Sequence, residues 1–175
     1  MVDNMITIDS VIGNIFRDSN LEKKYDEMAS RSLVESIKIS RIESQRVRMR
    51  KASDKGTDIA LVIPPGSKLR HGDVLLHTGE KMIIVELEPE NVISLEVKQN
   101  LHEDDIVEVP ARIGHAIGNL HRPLKTEGRM IYFPIQAESE VKMFKKIFSP
   151  LEGHLEIKSM KMVFEPDEGM DIHEH

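Results

Sequence analysis

The pattern of apolar residues changes once along this chain, and that change limits the fold more than any other feature. Up to Glu88-Pro89-Glu90-Asn91, short β-rich runs alternate with turn signals. The run Ile6-Thr7-Ile8-Asp9-Ser10-Val11-Ile12 stops at Gly13-Asn14, residues 58–63 stop at Pro64-Pro65-Gly66, and Thr78-Gly79-Glu80-Lys81 turns into residues 82–87. Short strands with turns at this spacing predict a small β-sandwich or barrel-like domain. Between Ser36 and Met49 apolar residues alternate with one slip, which predicts a strand with a bulge or turn. Residues 17–31 are polar, with Leu21, Tyr25 and Met28 at helical spacing, and predict a short surface helix or loop.

Beyond the boundary the periodicity becomes mixed. Residues 92–97 predict a strand. Glu103-Asp104-Asp105 are suited to the positive end of a helix, and Ile106, Val109, Ile113 and Ala116/Ile117 follow as an apolar stripe. Pro110 either kinks that helix or restarts it. Gly118-Asn119 are expected to end it, since both residues tolerate the left-handed conformation. Residues 123–126 and 130–134 read as strands joined at Glu127-Gly128. Residues 138–148 read as a helix with Val141, Phe144, Ile147 and Phe148 on one face, and residues 155–164 as a last strand. The order β-α-β-β-α-β is the ferredoxin-like or split βαβ pattern. The expected class is therefore α+β: a β-domain over residues 1–90, a ferredoxin-like domain over 91–166, and a flexible acidic tail over 167–175. Glu165, Asp167 and Glu168 are expected to be solvated charge.

Composition narrows the chemistry. The chain has no cysteine, which removes disulfides, thiolate nucleophiles and Cys-based metal sites. Its net charge of -6 argues against general binding to a phosphate backbone. The run Arg46-Val47-Arg48-Met49-Arg50-Lys51 alternates and reads as the polar face of a solvated edge strand. No signal peptide or membrane span is visible, which places the expected protein in the cytoplasm without a membrane partner. A nucleophile–base pair, a phosphate loop or a His-Glu-x-x-His set is not found, so the expectation is no enzyme.

Imidazoles are the remaining ligands for a borderline cation such as Ni(II), Cu(II) or Zn(II). His115 and His121 frame the Gly-Asn helix ending, and His173 and His175 lie one residue apart near the end of the sequence. Taken alone, His121 is more often a structural histidine at a helix–strand junction. His115 and His121 are not on one face of a continuous helix and need not share an ion. His173 and His175 point the same way if the tail is extended. His71, His77, His102 and His154 sit in turns or at element edges and are assigned no site.

Residues 117–124, Ile117-Gly118-Asn119-Leu120-His121-Arg122-Pro123-Leu124, resemble the Gly-Asn-Arg-His-x-Pro-Leu segment of UreE, the urease accessory nickel metallochaperone family. Residues 11–15, 45–48, 55–61, 71–75, 85–92 and 164–169 are similar to further family segments in the same order. Only residues 17–31 look like an addition. The resemblance implies an N-terminal β-domain with a chaperone-like look and a ferredoxin-like domain that binds metal and forms the homodimer. It implies that His121 meets its mate across the two-fold axis, with His173 and His175 completing the shell and His115 as a weaker candidate. It implies nickel as cargo, with zinc or copper able to replace it, and delivery through the urease accessory GTPase UreG to apo-urease. Leu120 stands where the family carries an Arg, and only two tail histidines are present, which favours one ion per dimer. Ion release follows from proton competition, since imidazole titrates near pH 6.5, roughly. The alternative is a non-enzymatic adaptor or peptide-binding module with structural histidines, because exposed strand edges can accept a peptide.

Overall fold

The structure is a computed structural model that describes residues 5–168. Contacts divide the chain into two compact units, Met1–Glu88 and Pro89–His175.

In the first unit, β1 (Ile6–Ile8), β4 (Arg48–Ala52) and β5 (Asp58–Val62) form one sheet in the order β1-β5-β4. A second sheet contains β2 (Gly13–Asn14), β3 (Val34–Ile39), β6 (Asp73–His77) and β7 (Met82–Leu87) in the order β2-β6-β7-β3. The alternating stretch 36–49 is therefore not one strand. Its slip is a 3-10 turn at Glu43–Gln45, and β3 and β4 belong to different sheets. Two pairs, β1 with β5 and β3 with β7, are parallel, which adjacent hairpin turns cannot produce and long crossovers can.

Residues 17–31 contain a helix, α1 (Ser19–Ser30), so this half is not purely β. Asp18 caps it: its Oδ1 accepts the N–H of Asn20 (2.8 Å) and of Leu21 (3.3 Å). Leu21 and Met28 are buried against Ile15, Val74, Met82 and Ile84, with Tyr25 packed alongside.

Glu35 on β3 is a buried carboxylate of this unit, only 6% exposed. Lys81 Nζ lies 2.9 Å from its Oε1, and Ser53 Oγ donates to its Oε2 (2.6 Å). Burial pushes the carboxyl up, but hydrogen bonds from Ser53, Thr57 and Lys81, with the Lys81 charge, outweigh it and hold the pKa at about 2.

The second unit contains β8 (Glu90–Val97), α2 (Glu103–Asn119), β9 (Lys125–Glu127), β10 (Met130–Pro134), α3 (Glu140–Ile147) and β11 (Leu155–Met162). Its sheet has the order β11-β8-β10-β9, with every pair antiparallel. The boundary segment Glu88 to Asn91 is partly strand. Glu90 and Asn91 already pair with Met162 and Lys161 of β11, and Asn91 O accepts the N–H of Ile135 (3.0 Å).

Helix α2 is continuous through Pro110, so the chain does not restart there. Val109, Ile113 and Ile117, at i, i+4 and i+8, bury one stripe against Ile93 and Leu95 of β8, Phe133 of β10, and Phe144 and Phe148. Phe133 and Phe144 meet edge to face with centroids 4.6 Å apart. Each side chain so buried contributes about 2 kcal/mol. Ile106 and Ile147, expected on the inner stripes, are exposed instead. Periodicity selects a face but not how far along it the sheet reaches.

Candidate metal site at the end of the second helix

The geometry at the end of α2 differs from the expectation. Gly118 and Asn119 are the last two helical residues, and the left-handed residue is His121, with φ 50°. The N–H of His121 donates to Gly118 O (2.9 Å) and the N–H of Arg122 to Ile117 O (3.3 Å). This pair of bonds is the Schellman ending, with Leu120 as cap and His121 in the position that glycine usually takes. A side chain there is strained by about 1 kcal/mol or more, and such strain concentrates at functional positions. Histidine is among the non-glycine residues most tolerant of this region. Pro123 follows and prevents the helix from resuming.

The His121 side chain is exposed. Arg122 beside it turns away to Glu140 at the start of α3 (Nη2 to Oε2, 2.8 Å), and Glu140 Oε1 also accepts the N–H of Gln136 (3.0 Å). The loop carrying His121 is thus tied to α3. The first turn of α2 carries Glu103, Asp104 and Asp105, while its last turn carries no basic residue. The negative end of the helix dipole is left for a cation placed near His121.

His115 lies on the exposed surface of α2, and its Nε2 is 2.9 Å from Asn119 Nδ2, which donates to it. His173 and His175 lie outside the described residues. Among the described residues, no group of three or more His, Asp or Glu is gathered to hold a metal.

The region expected as solvated tail begins with an anchor that sequence reading missed. Asp167 is not free charge: its N–H donates to Leu124 O (3.1 Å), and its Oδ2 accepts the Thr126 N–H (2.9 Å) and hydroxyl (2.8 Å). The chain therefore passes from β11, at one edge of the sheet, to β9 at the other, with Phe164 buried on the way. Residue 167 is thus held against Leu124, which lies three residues along the chain from His121. No local signal in the sequence announces this, because Thr126 and Asp167 are far apart in sequence and individually ordinary.

Taken together, the fold and the site define a class: a β-rich unit followed by a βαββαβ unit that offers an exposed imidazole at a helix end. Residues 8–88 match the model of the UreE urease accessory protein, N-terminal domain. Urease accessory protein UreE of Natronomonas pharaonis is 27% identical over 134 residues, 77% of this chain and 61% of that protein. Urease accessory protein UreE 1 of Pseudomonas syringae pv. tomato is 27% identical over 131 residues, 75% of this chain and 84% of its own length. Urease accessory protein UreE of Yersinia intermedia is 27% identical over 135 residues, 75% of this chain and 58% of that protein. The matched part thus spans less than two thirds of the Natronomonas and Yersinia relatives. The match over residues 8–88 and these relatives together support the UreE family for this chain. No helix among the described residues is long and apolar enough to cross a membrane.

Proposed function

We propose that this protein is a non-enzymatic nickel metallochaperone of the cytoplasm that serves urease maturation. Ni(II) is its cargo, with Zn(II) or Cu(II) able to occupy the same ligands. The observation that carries the reading is His121: an exposed imidazole held in a strained left-handed position at the negative end of α2. A borderline divalent cation is what such a donor suits.

One imidazole is a weak anchor, and a homodimer doubles it by symmetry. The surface of α2 supports such a pairing. Val107, Ala111, Gly114 and Gly118 recur at i, i+4, i+7 and i+11, and nothing lies within 4 Å of where a Cβ on either glycine would sit. Val107 is 75% exposed, and Leu120 is exposed beside His121. The strand order and antiparallel pairing of the second unit support the ferredoxin-like assignment of the domain that would dimerise. His173 and His175 would complete the shell. Six residues beyond the Asp167 anchor extend at most about 20 Å, enough for His173 to return toward the loop that begins three residues before Leu124. His115 is a lesser candidate because Asn119 already engages it.

In this reading the family's accessory role means loading nickel and yielding it to the GTPase UreG and apo-urease. Calorimetric titration with nickel, combined with mass measurement of the complex, tests it. One tight ion per two chains is expected. Binding no better than about millimolar for nickel, copper and zinc alike would replace the chaperone by an adaptor. A strictly monomeric second unit, with and without metal, would remove the dimer.

A further inference from the structure

Strand β4 forms an open edge of the β1-β5-β4 sheet. Its pairing with β5 decides which backbone groups face outward. The N–H of Ile63 donates to Val47 O (2.7 Å), and the N–H of Ser53 donates to Thr57 O (2.8 Å). Both pairs continue the β4–β5 register, so the odd-numbered residues of β4 are the hydrogen-bonded ones. In an antiparallel ladder the intervening residues turn their N–H and C=O away from the partner. Arg48, Arg50 and Ala52 therefore aim backbone groups at the edge. The next residue in this series demonstrates it. The N–H of Asp54 reaches to Ser36 O on β3 (2.9 Å), and Asp54 Oδ1 accepts the N–H of Ser36 (2.8 Å). At Asp54 the edge is occupied. From Ala52 back to Arg48 it is exposed, and among the described residues Arg48 and Ala52 make no hydrogen bond outside the β4–β5 ladder.

The side chains on this edge carry a charge opposite to the chain as a whole, whose net charge is -6. Arg48, Arg50 and Ala52 share one face with Val62, Ala60 and Asp58 of β5. Arg50 is bound in a fork to Asp58 (Nη2 to Oδ2, 2.6 Å; Nε to Oδ1, 3.0 Å). Arg48 has no acidic partner among the described residues and lies across from the exposed Val62. Arg46 is also exposed, and its carboxylate neighbour Glu43, at 3.9 Å, is held more closely by Lys51 at 2.8 Å. Charges on an edge strand ordinarily discourage sheet-to-sheet aggregation. Here they also select an occupant. A second copy of β4 would oppose arginine with arginine, which is unfavourable. An acidic strand would not.

We propose that the β4 edge docks an extended acidic segment of a partner protein, which adds as a strand beside Arg48–Ala52. Its outward-facing carboxylates, at every second residue, would lie next to Arg48, and its backbone would meet the free groups of Arg48 and Ala52. Main-chain bonds supply affinity in this mode, and alternate side chains supply specificity. The inference is independent of the nickel reading and survives its failure.

The test uses the full chain, labelled with nitrogen-15, and a capped peptide of alternating glutamate and threonine. Amide hydrogen exchange at Arg48 and Ala52 is expected to slow about tenfold with peptide, while Met49 and Lys51, already bonded to β5, change little. A matching peptide of lysine and threonine should have no effect. Arg48→Glu should weaken binding about tenfold, and Arg48→Lys should largely preserve it. Ala52→Pro removes one outward N–H without removing a bond to β5, and should also weaken binding about tenfold. Circular dichroism checks that it folds; if it does not, Arg48→Glu and the lysine peptide decide. Unchanged exchange at residues 48–52 in millimolar peptide would overturn the proposal. So would full affinity of Arg48→Glu, or tighter binding of a single-stranded RNA homopolymer at the same amides.

Discussion

At the end of α1, Ser32 (φ 56°), and at the end of α2, His121 (φ 50°), occupy the same position of the same hydrogen-bonded turn. In both, the left-handed residue donates to the carbonyl three positions back, and the next residue donates to the carbonyl five back. The residue that follows differs. After Ser32 comes Leu33, which packs with Met28 against the core of the first unit, and Lys55 Nζ donates to the Ser32 carbonyl. After His121 comes Arg122, which pairs with Glu140 rather than entering a core. At the first ending apolar packing absorbs the strain, and the strained side chain is small. At the second, an ion pair anchors the residue that follows, and the strained side chain is a large, exposed imidazole. The same local geometry is structural in one unit and, in our reading, functional in the other.

The largest expected effect separates the two regions by pH. Glu35 has a depressed pKa, so its contribution to the first unit is present above the ordinary carboxylate range and is lost as pH falls toward about 2. Glu35→Gln should remove about 3 kcal/mol of that pH dependence between about pH 5 and pH 2. Residue-resolved hydrogen exchange should locate the loss around α1 and β3, leaving the amides around α2 unaffected. An equal loss in both units would break the comparison.

Next in size is the binding function of His121. His121→Ala should lower nickel affinity by about a hundredfold or more, while Ser32→Ala leaves it unchanged. Calorimetry on both variants decides, and full affinity in His121→Ala would move the site to the tail.

The tail histidines should matter less than His121, since ordering a chain segment around an ion costs conformational entropy. Truncation after Gly169 is expected to weaken nickel binding about tenfold. Thr126→Val, which loosens the Asp167 anchor, should cost less than the truncation. A larger effect from Thr126→Val would mean that the anchor, rather than the tail, organises the site.

The smallest effect concerns the strain itself. Ser32→Gly and His121→Gly should each stabilise their unit by about 0.5–1 kcal/mol in denaturant titrations, since glycine enters the left-handed region freely. Only the second should also weaken nickel binding, to the same extent as His121→Ala. If His121→Gly destabilises, the imidazole makes a structural contact that outweighs the strain.

The buried helix faces were readable in advance because helical periodicity is local. Val109, Ile113 and Ile117 and the Leu21–Met28 spacing follow from it directly. Helix α2 ends at Asn119, where the Gly118-Asn119 signal predicts, but the left-handed residue lies two positions further on, at His121. Gly118 and Asn119 are the usual left-handed residues, yet hydrogen bonding carries the helix through both and leaves His121 in the strained position. The alternation over 36–49 predicts a strand with a bulge or turn; the turn is present at Glu43–Gln45, but the two flanking strands join different sheets, because alternation reports which face is buried and not which sheet a strand joins.

What the sequence determined by itself was whatever depends on neighbours within about one helical turn or one strand: element type, buried face, the absence of thiol chemistry, and the histidines as the available ligands. The tertiary structure alone decided the parallel pairing of β1 with β5 and β3 with β7, the link from Asp167 to Thr126, the pairing of Arg122 with Glu140, and the outward phase of Arg48 and Ala52. Each of these joins groups distant along the chain or fixes a register. Registers and long-range partners come from the summed packing of a whole unit, which no short window of residues encodes.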